Sequence, residues 1–295
     1  GKTVTATGYS LSNGTGGLAS NYVLSSTSST TTATINAKAL TITGQTAANK
    51  VYDSTNSATL SGGTLVGVVG SENVTLTQAG TFSSVNVGTG ISINTANTLG
   101  GTATGNYTLT QPAVTANITA KALTITGQTA ANKTYDSNNT ATLSGGTLVG
   151  VVGSENVTLT QSGTFASVNV GTGIGINAAN SLAGTAIGNY TLTQPSLTAN
   201  ITAKALTVTG QTAANKTYDG NNAATLSGGT LVGVVGSEDV SLTQSGTFAS
   251  VSVGTGISIT ASNALAGTAI GNYSLTQPTG LTANITAKAL TVTGQ

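Results

Sequence analysis

Apolar positions along this chain recur every second residue rather than every third or fourth. Val74-Thr75-Leu76-Thr77 alternates apolar and hydroxyl side chains, and the pattern returns from Val157 and from Val240, where Ser241 stands for the first Thr. Ser84-Val85-Asn86-Val87, Ile91-Ser92-Ile93 and Tyr107-Thr108-Leu109 alternate in the same way. A period of two sends successive side chains to opposite faces, so each stretch predicts a strand with one dry and one wet face. The stretch 118–126 is less regular, yet Leu123 and Ile125 share one face while Thr124 and Thr126 share the other. The predicted strands are about 4–8 residues long. Between them stand Gly-Gly, Gly-Thr-Gly, Ser-Gly-Thr and Gly-Asn turns. No helical stripe of useful length occurs. The stretch 45–50 (Gln-Thr-Ala-Ala-Asn-Lys) reads as one turn of helix at most.

The alternating segments belong to a repeat. Ala37-Lys38-Ala39-Leu40-Thr41 returns at Ala120, Ala203 and Ala287, at spacings of 83, 83 and 84 residues. Tyr52-Asp53, Tyr135-Asp136 and Tyr218-Asp219 keep that register, as do Gly105-Asn106-Tyr107, Gly188-Asn189-Tyr190 and Gly271-Asn272-Tyr273. Three full units are expected at 37–119, 120–202 and 203–286. Residues 1–36 read as the C-terminal half of a divergent repeat, with Asn21-Tyr22 near the phase of Asn106-Tyr107, and 287–295 as the first strand of a further repeat. The chain is expected to be a window on a longer array.

About seven strands per unit, with turns every 8–12 residues, predict an all-β fold. The expectation is a tandem array of Ig-like β-sandwich repeats. A β-solenoid would show a sub-period of about 20–30 residues. A β-grasp unit with one helix is the remaining alternative. Phe82, Tyr52 and Tyr107 are the expected large core residues. At the junctions the chain reads Thr-Ala-Asn-Ile-Thr-Ala-Lys-Ala-Leu-Thr with no Gly/Ser tether, so neighbouring repeats are the expected packing partners. End-to-end packing predicts an elongated rod, with three units extending on the order of 90–120 Å.

Composition narrows function. The chain has 15 charged residues among 295, with 60 Thr and 40 Gly, and it has no Cys, Met, Trp, His or Arg. Without Cys or His there is no thiolate or Ser-His nucleophile and none of the usual zinc, copper or iron ligand sets. Without Arg there is no bidentate phosphate clamp. A net charge of +1 gives no footprint for nucleic acid or anionic lipid. No apolar run approaches the roughly 20 residues a membrane helix needs. The β-branched content argues against disorder. No enzyme activity, metal or cofactor is expected.

Each remaining candidate site competes with a structural reading. Lys38, Lys50, Asp53 and Glu72 recur in every unit. A Lys–Asn or Lys–Asp isopeptide cross-link beside an acid competes with Asp53 bracing a turn and lysines keeping strand ends soluble. Asp219-Gly220-Asn221-Asn222 is the best local candidate for calcium, though calcium usually needs several carboxylates. Asn73, Asn106 and Asn117 open Asn-x-Thr/Ser sequons, which Thr-rich sequence generates freely. Thr41 and Thr43, Thr75 and Thr77, and Thr108 and Thr110 form hydroxyl arrays that would suit ice or glycan but equally suit solvent-facing strands. Tyr52 and Tyr107 read as core residues rather than a binding platform. Gly88-Thr89-Gly90 reads as a turn without the lysine and helix of a phosphate loop.

Several motifs resemble a known family: Ala-Lys-Ala-Leu-Thr-Ile-Thr at a unit's opening, Lys216-Thr217-Tyr218-Asp219-Gly220, Gly-Asn-Tyr, and a closing Ala-Asn-Ile-Thr. They look like the YDG domain, a repeat of large bacterial surface adhesins of the filamentous haemagglutinin type. The resemblance covers residues 37–286, with Tyr-Asp-Ser in place of Tyr-Asp-Gly at 52–54 and 135–137. It implies a secreted stalk on the surface of a Gram-negative bacterium, projecting an adhesive tip from the cell, and carries over no catalytic residue. A multivalent module for host or matrix glycans and a self-associating extracellular filament are the alternative expectations.

Overall fold

The computed structural model describes residues 1–294. Two compact units divide the chain, Gly1–Lys121 and a second that begins at Ala122. Both are built from strands and short turns; the helical elements among the described residues are single 3-10 turns.

The repeat 203–286 shows how one brick is made. Its strands are β1 (Lys204–Thr209), β2 (Thr212–Ala213), β3 (Lys216–Thr217), β4 (Ala223–Ala224), β5 (Leu226–Ser227) and β6 (Thr230–Val232). They continue as β7 (Ser241–Thr243), β8 (Gly246–Phe248), β9 (Gly254–Ala261), β10 (Ala264–Ala266), β11 (Tyr273–Thr276) and β12 (Thr282–Thr286). One sheet has the order β6-β1-β11 and another β3-β12-β9-β8-β4, while β2 pairs with β5 and β7 with β10. Alternation sets the faces: Leu206 and Val208 of β1 are buried while Thr207 and Thr209 face solvent. Phe248, Ile259, Ala283 and Ile285, from β8, β9 and β12, form one buried cluster capped by Ala213, Ala224 and Leu226. The expected all-β tandem array is the fold.

Local details differ from the sequence expectation where a side chain or a pairing partner competes. The stretch 45–50 forms no helical turn. Thr46–Ala47 pairs antiparallel with Leu60–Ser61, and Lys50–Val51 pairs parallel with Ile118–Thr119. Six residues make too short a helix to compete with a ladder. Ser84-Val85-Asn86-Val87 is a turn rather than a strand, because Ser84 Oγ accepts the Asn86 N–H at 3.1 Å. Gly88-Thr89-Gly90 opens the strand Gly88–Thr95 instead of ending one. The register shifts between Gly88 and Ile91, and Gly90 takes φ +61° with its N–H on Asn117 Oδ1 at 2.7 Å. That combination is a bulge, for which glycine is suited. The unit 203–286 has twelve short strands instead of about seven, since turns divide the alternating runs.

At the N-terminus, Lys2–Thr7 pairs antiparallel with Ser28–Ala33, and a 3-10 turn at Ala19–Asn21 lies between them. Every residue of both strands is exposed. At the other end, residues 287–294 form no strand and Leu290 is 91% exposed, whereas its counterpart Leu206 is fully buried. In the complete units this strand is paired by segments from later in the same unit.

Candidate functional site

Three polar arrangements stand out: one at a turn and one at a waist, which recur in each repeat, and one at a junction. The first is a lysine brace. Lys216 Nζ lies 2.7 Å from Asp219 Oδ1, donates to Asn221 Oδ1 at 2.8 Å, and stands 5.8 Å above the Phe248 ring. Lys133 makes the same contacts with Asp136, Asn138 and Phe165. In the first repeat Thr55 takes the place of the asparagine. The brace therefore brings together the Lys, Asp and Asn that a cross-link would need. Its acid is in the wrong state. Hydrogen bonds from Lys50 and the Thr55 N–H pull Asp53 down to about 2, and the Lys216 and Asn221 donors likewise hold Asp219 below the usual range. Such a carboxylate is charged at neutral pH and has no proton to lend to departing ammonia. The brace is an exposed ion pair of small energetic weight. Any stability Asp53 contributes is present above its unfolded value of 3.8 and fades as pH falls toward 2. Calcium finds no cluster here either: the Asp219 oxygens are taken by Lys216, the Asn221 N–H and the Asn221 amide.

The same turn explains the Tyr-Asp-Gly motif. Gly220 sits at φ +82°, and the Ser residues at its position, Ser54 and Ser137, are forced to φ +63°. A side chain in that region costs about 1–2 kcal/mol, offset in part by glycine's greater freedom when unfolded. Ser137→Gly should stabilise the 120–202 repeat by about 0.5–1 kcal/mol, read as a raised denaturation midpoint. An unchanged or lowered midpoint would contradict the strain.

The second arrangement is an amide quartet at each waist, which sequence reasoning missed. Gln128 Nε2 donates to Gln161 Oε1 at 2.7 Å and to Asn180 Oδ1 at 3.0 Å. Asn180 Nδ2 donates to Gln128 Oε1 at 2.9 Å and to Gln194 Oε1 at 3.0 Å. Gln194 Nε2 returns to the Asn180 carbonyl at 2.8 Å. Gln211, Gln244, Asn263 and Gln277 repeat the network, as do Gln45, Gln78, Asn97 and Gln111. Asn180 and Gln128 are buried, and among the described residues no buried side-chain nitrogen or oxygen lacks a partner. The available signal was the recurrence of these amides at 83-residue spacing.

The third arrangement joins 120–202 to 203–286. One residue, Ala203, separates the strand Leu197–Thr202 from β1. Across this joint Tyr135 packs edge-on against Tyr273, with centroids 5.5 Å apart. Both phenols donate to one carboxylate, Tyr135 to Glu238 Oε1 at 2.7 Å and Tyr273 to Glu238 Oε2 at 2.6 Å. Asn272 Oδ1 accepts the Val170 N–H at 2.9 Å, and its amide donates to Asn169 Oδ1 at 3.1 Å. Phe165, Ile201, Leu206 and Tyr273 lie in a single apolar cluster that crosses the joint. Tyr135 is 5% exposed, whereas Tyr218, its counterpart in the next repeat, is 42% exposed. In the first repeat Glu72, Asn106 and Tyr107, the counterparts of Glu238, Asn272 and Tyr273, line a hollow of about 340 Å³.

The shared carboxylate, with burial, pushes the Tyr135 hydroxyl up to about 12. A raised tyrosine value means that the joint's stability is complete below the unfolded value of 10.0 and drains away as pH rises from there to about 12. Glu238→Gln should weaken the joint by about 1–2 kcal/mol and flatten this alkaline loss, measured as denaturation midpoint against pH. An alkaline profile unchanged in the variant would contradict the clasp.

The remaining candidates fall into place around these three. Thr41, Thr43, Thr75 and Thr77 are exposed strand positions. Tyr52 and Tyr107 are buried, as a core reading requires. The Asn272 sequon is closed by its contacts in the joint, while Asn73 and its counterpart Asn156 are exposed. Among the described residues no three His, Cys, Asp or Glu gather to hold a metal, and no helix is long and apolar enough to cross a membrane.

These features define an all-β tandem-repeat protein whose buried amides and recurring lysines hold its turns and waists together. The YDG domain family matches residues 36–116, 119–198 and 202–280, and the chain belongs to that family. No curated protein and no solved structure matches it.

Proposed function

We propose that the chain is part of the stalk of a secreted bacterial surface adhesin, a run of β-bricks that holds an adhesive tip away from a Gram-negative cell. The observation that carries this reading is the joint between 120–202 and 203–286. A strand passes into the next repeat through Ala203 alone, and the Tyr135–Glu238–Tyr273 clasp ties the two repeats together. A flexible display of separate modules would use a loose linker. Serial repeats then set length, and a locked joint of this kind sets stiffness. With 5% charged residues, little of this depends on salt.

Antibodies against the chain test the location: they should label intact bacteria of the source strain, and labelling only after lysis would overturn it. A mucin and glycan array probed with the whole chain separates stalk from binding module. No saturable signal is expected, and a saturable one would favour the multivalent reading.

A further inference from the structure

Both ends of a repeat are held by strands that lie inside their sheets. In 203–286 the first strand, β1, is flanked by β6 and β11, and the last, β12, is flanked by β3 and β9. Neither can leave by peeling off an edge. Each also has a parallel neighbour. β1 pairs with β11 through Lys204 and Tyr273, Ala205 and Ser274, Leu206 and Leu275, and Thr207 and Thr276. β12 pairs with β3 through Ile285 and Lys216, and Thr286 and Thr217. The arrangement recurs. Tyr107–Leu109 runs parallel to Lys38–Thr43, and Val114–Thr119 to Lys50–Val51. In 120–202, Lys133–Thr134 runs parallel to Leu197–Thr202.

Tension along the chain pulls β1 by its N-terminal end and β12 by its C-terminal end. The two loaded strands are not paired with each other; each is drawn lengthwise past a parallel neighbour that the rest of the repeat holds in place, β11 beside β1 and β3 beside β12. All the ladder bonds within such a pair carry load together and must break together. An antiparallel pair pulled from adjacent ends opens one bond at a time. Burial adds to the resistance. Leu206 is fully buried and Ile285 is 1% exposed, and a slip of one residue turns each toward the wrong face.

We infer that each repeat is a shear clamp, built to resist unfolding when the array is pulled end to end. The usefulness of such a clamp rests on the stalk reading; its geometry does not. The joint at Ala203 delivers the load from the last strand of one clamp straight into the first strand of the next.

Single-molecule pulling on the whole chain tests this. The chain has no Cys, so thiol handles can be placed at will. With handles at the two termini, each repeat of 83 or 84 residues should open in one event releasing about 290 Å of extended chain. The comparison places handles on the same chain through Asn222→Cys and Ala249→Cys, both exposed, so that β4 peels from β8 at Ala223–Thr247 and Ala224–Gly246. End-to-end rupture should need at least about twice the force of this peeling at equal loading rate, forced opening being governed by the unfolding rate along the pulled direction. Equal or lower end-to-end force would overturn the clamp. That outcome leaves the antibody labelling of intact cells untouched, and a strong clamp in a chain never exposed at the surface would overturn the stalk instead.

Discussion

Phe165→Ala should bring the 120–202 repeat close to unfolding. The ring is 2% exposed, sits beneath Lys133 and shares a cluster with Tyr135, Ile176 and Ile201. Its strand, Gly163–Phe165, is only three residues long; it pairs with Gly171–Ala178 on one side and is bridged to Thr140 on the other, so the ring sits where three segments meet. Truncating a buried Phe removes transfer energy and leaves a cavity, at a cost of about 3–5 kcal/mol. A whole domain is stable by only about 5–15 kcal/mol. For a repeat of this size the melting temperature should fall by more than about 10 °C. Thr124→Ala, on an exposed face of the same repeat, should stay within about 0.5 kcal/mol of the parent. Calorimetry of the whole chain resolves the two variants, and equal shifts would show that the core lies elsewhere.

Asn180→Ala should cost nearly as much, although it removes a polar residue. Its amide and backbone meet Gln128, Gln194 and the Ser162 N–H. Removing the side chain leaves the Gln128 amide and one Gln194 contact short of partners in a buried place. Each unsatisfied buried group costs about 1–3 kcal/mol, so a total near 3 kcal/mol is expected. Denaturant titration measures it. A cost below about 0.5 kcal/mol, the range of an exposed substitution, would mean that water reaches the waist freely.

Much of this architecture was legible from residue order, and what was not has a physical cause. The 83-residue period and the alternation of Leu and Val with Thr located the repeats and most strand faces. Alternation carries no direction, however. The parallel pairing of β1 with β11 depends on contacts about 69 residues apart, and nothing in Ala-Lys-Ala-Leu-Thr announces it. Ser84-Val85-Asn86-Val87 alternates well, but a serine hydroxyl captures the N–H that a ladder would need. The joint was the hardest to see. Tyr135 and Tyr218 have almost the same neighbours in sequence, yet one is buried and the other is not, because burial comes from Glu238 and Tyr273, more than a hundred residues away. The amide quartet is similar: its Gln and Asn residues look like ordinary polar filler until the fold brings four of them together.

A stiff stalk requires a locked joint between 120–202 and 203–286. Spin labels on Thr160→Cys and Thr243→Cys, exposed positions on either side of it, report this through their distance distribution in the whole chain. A single narrow distribution is predicted, broadening when Glu238→Ala removes the acceptor shared by both phenols. A broad distribution in the unaltered joint would mean that the repeats swing independently, and the stiff stalk would have to be abandoned.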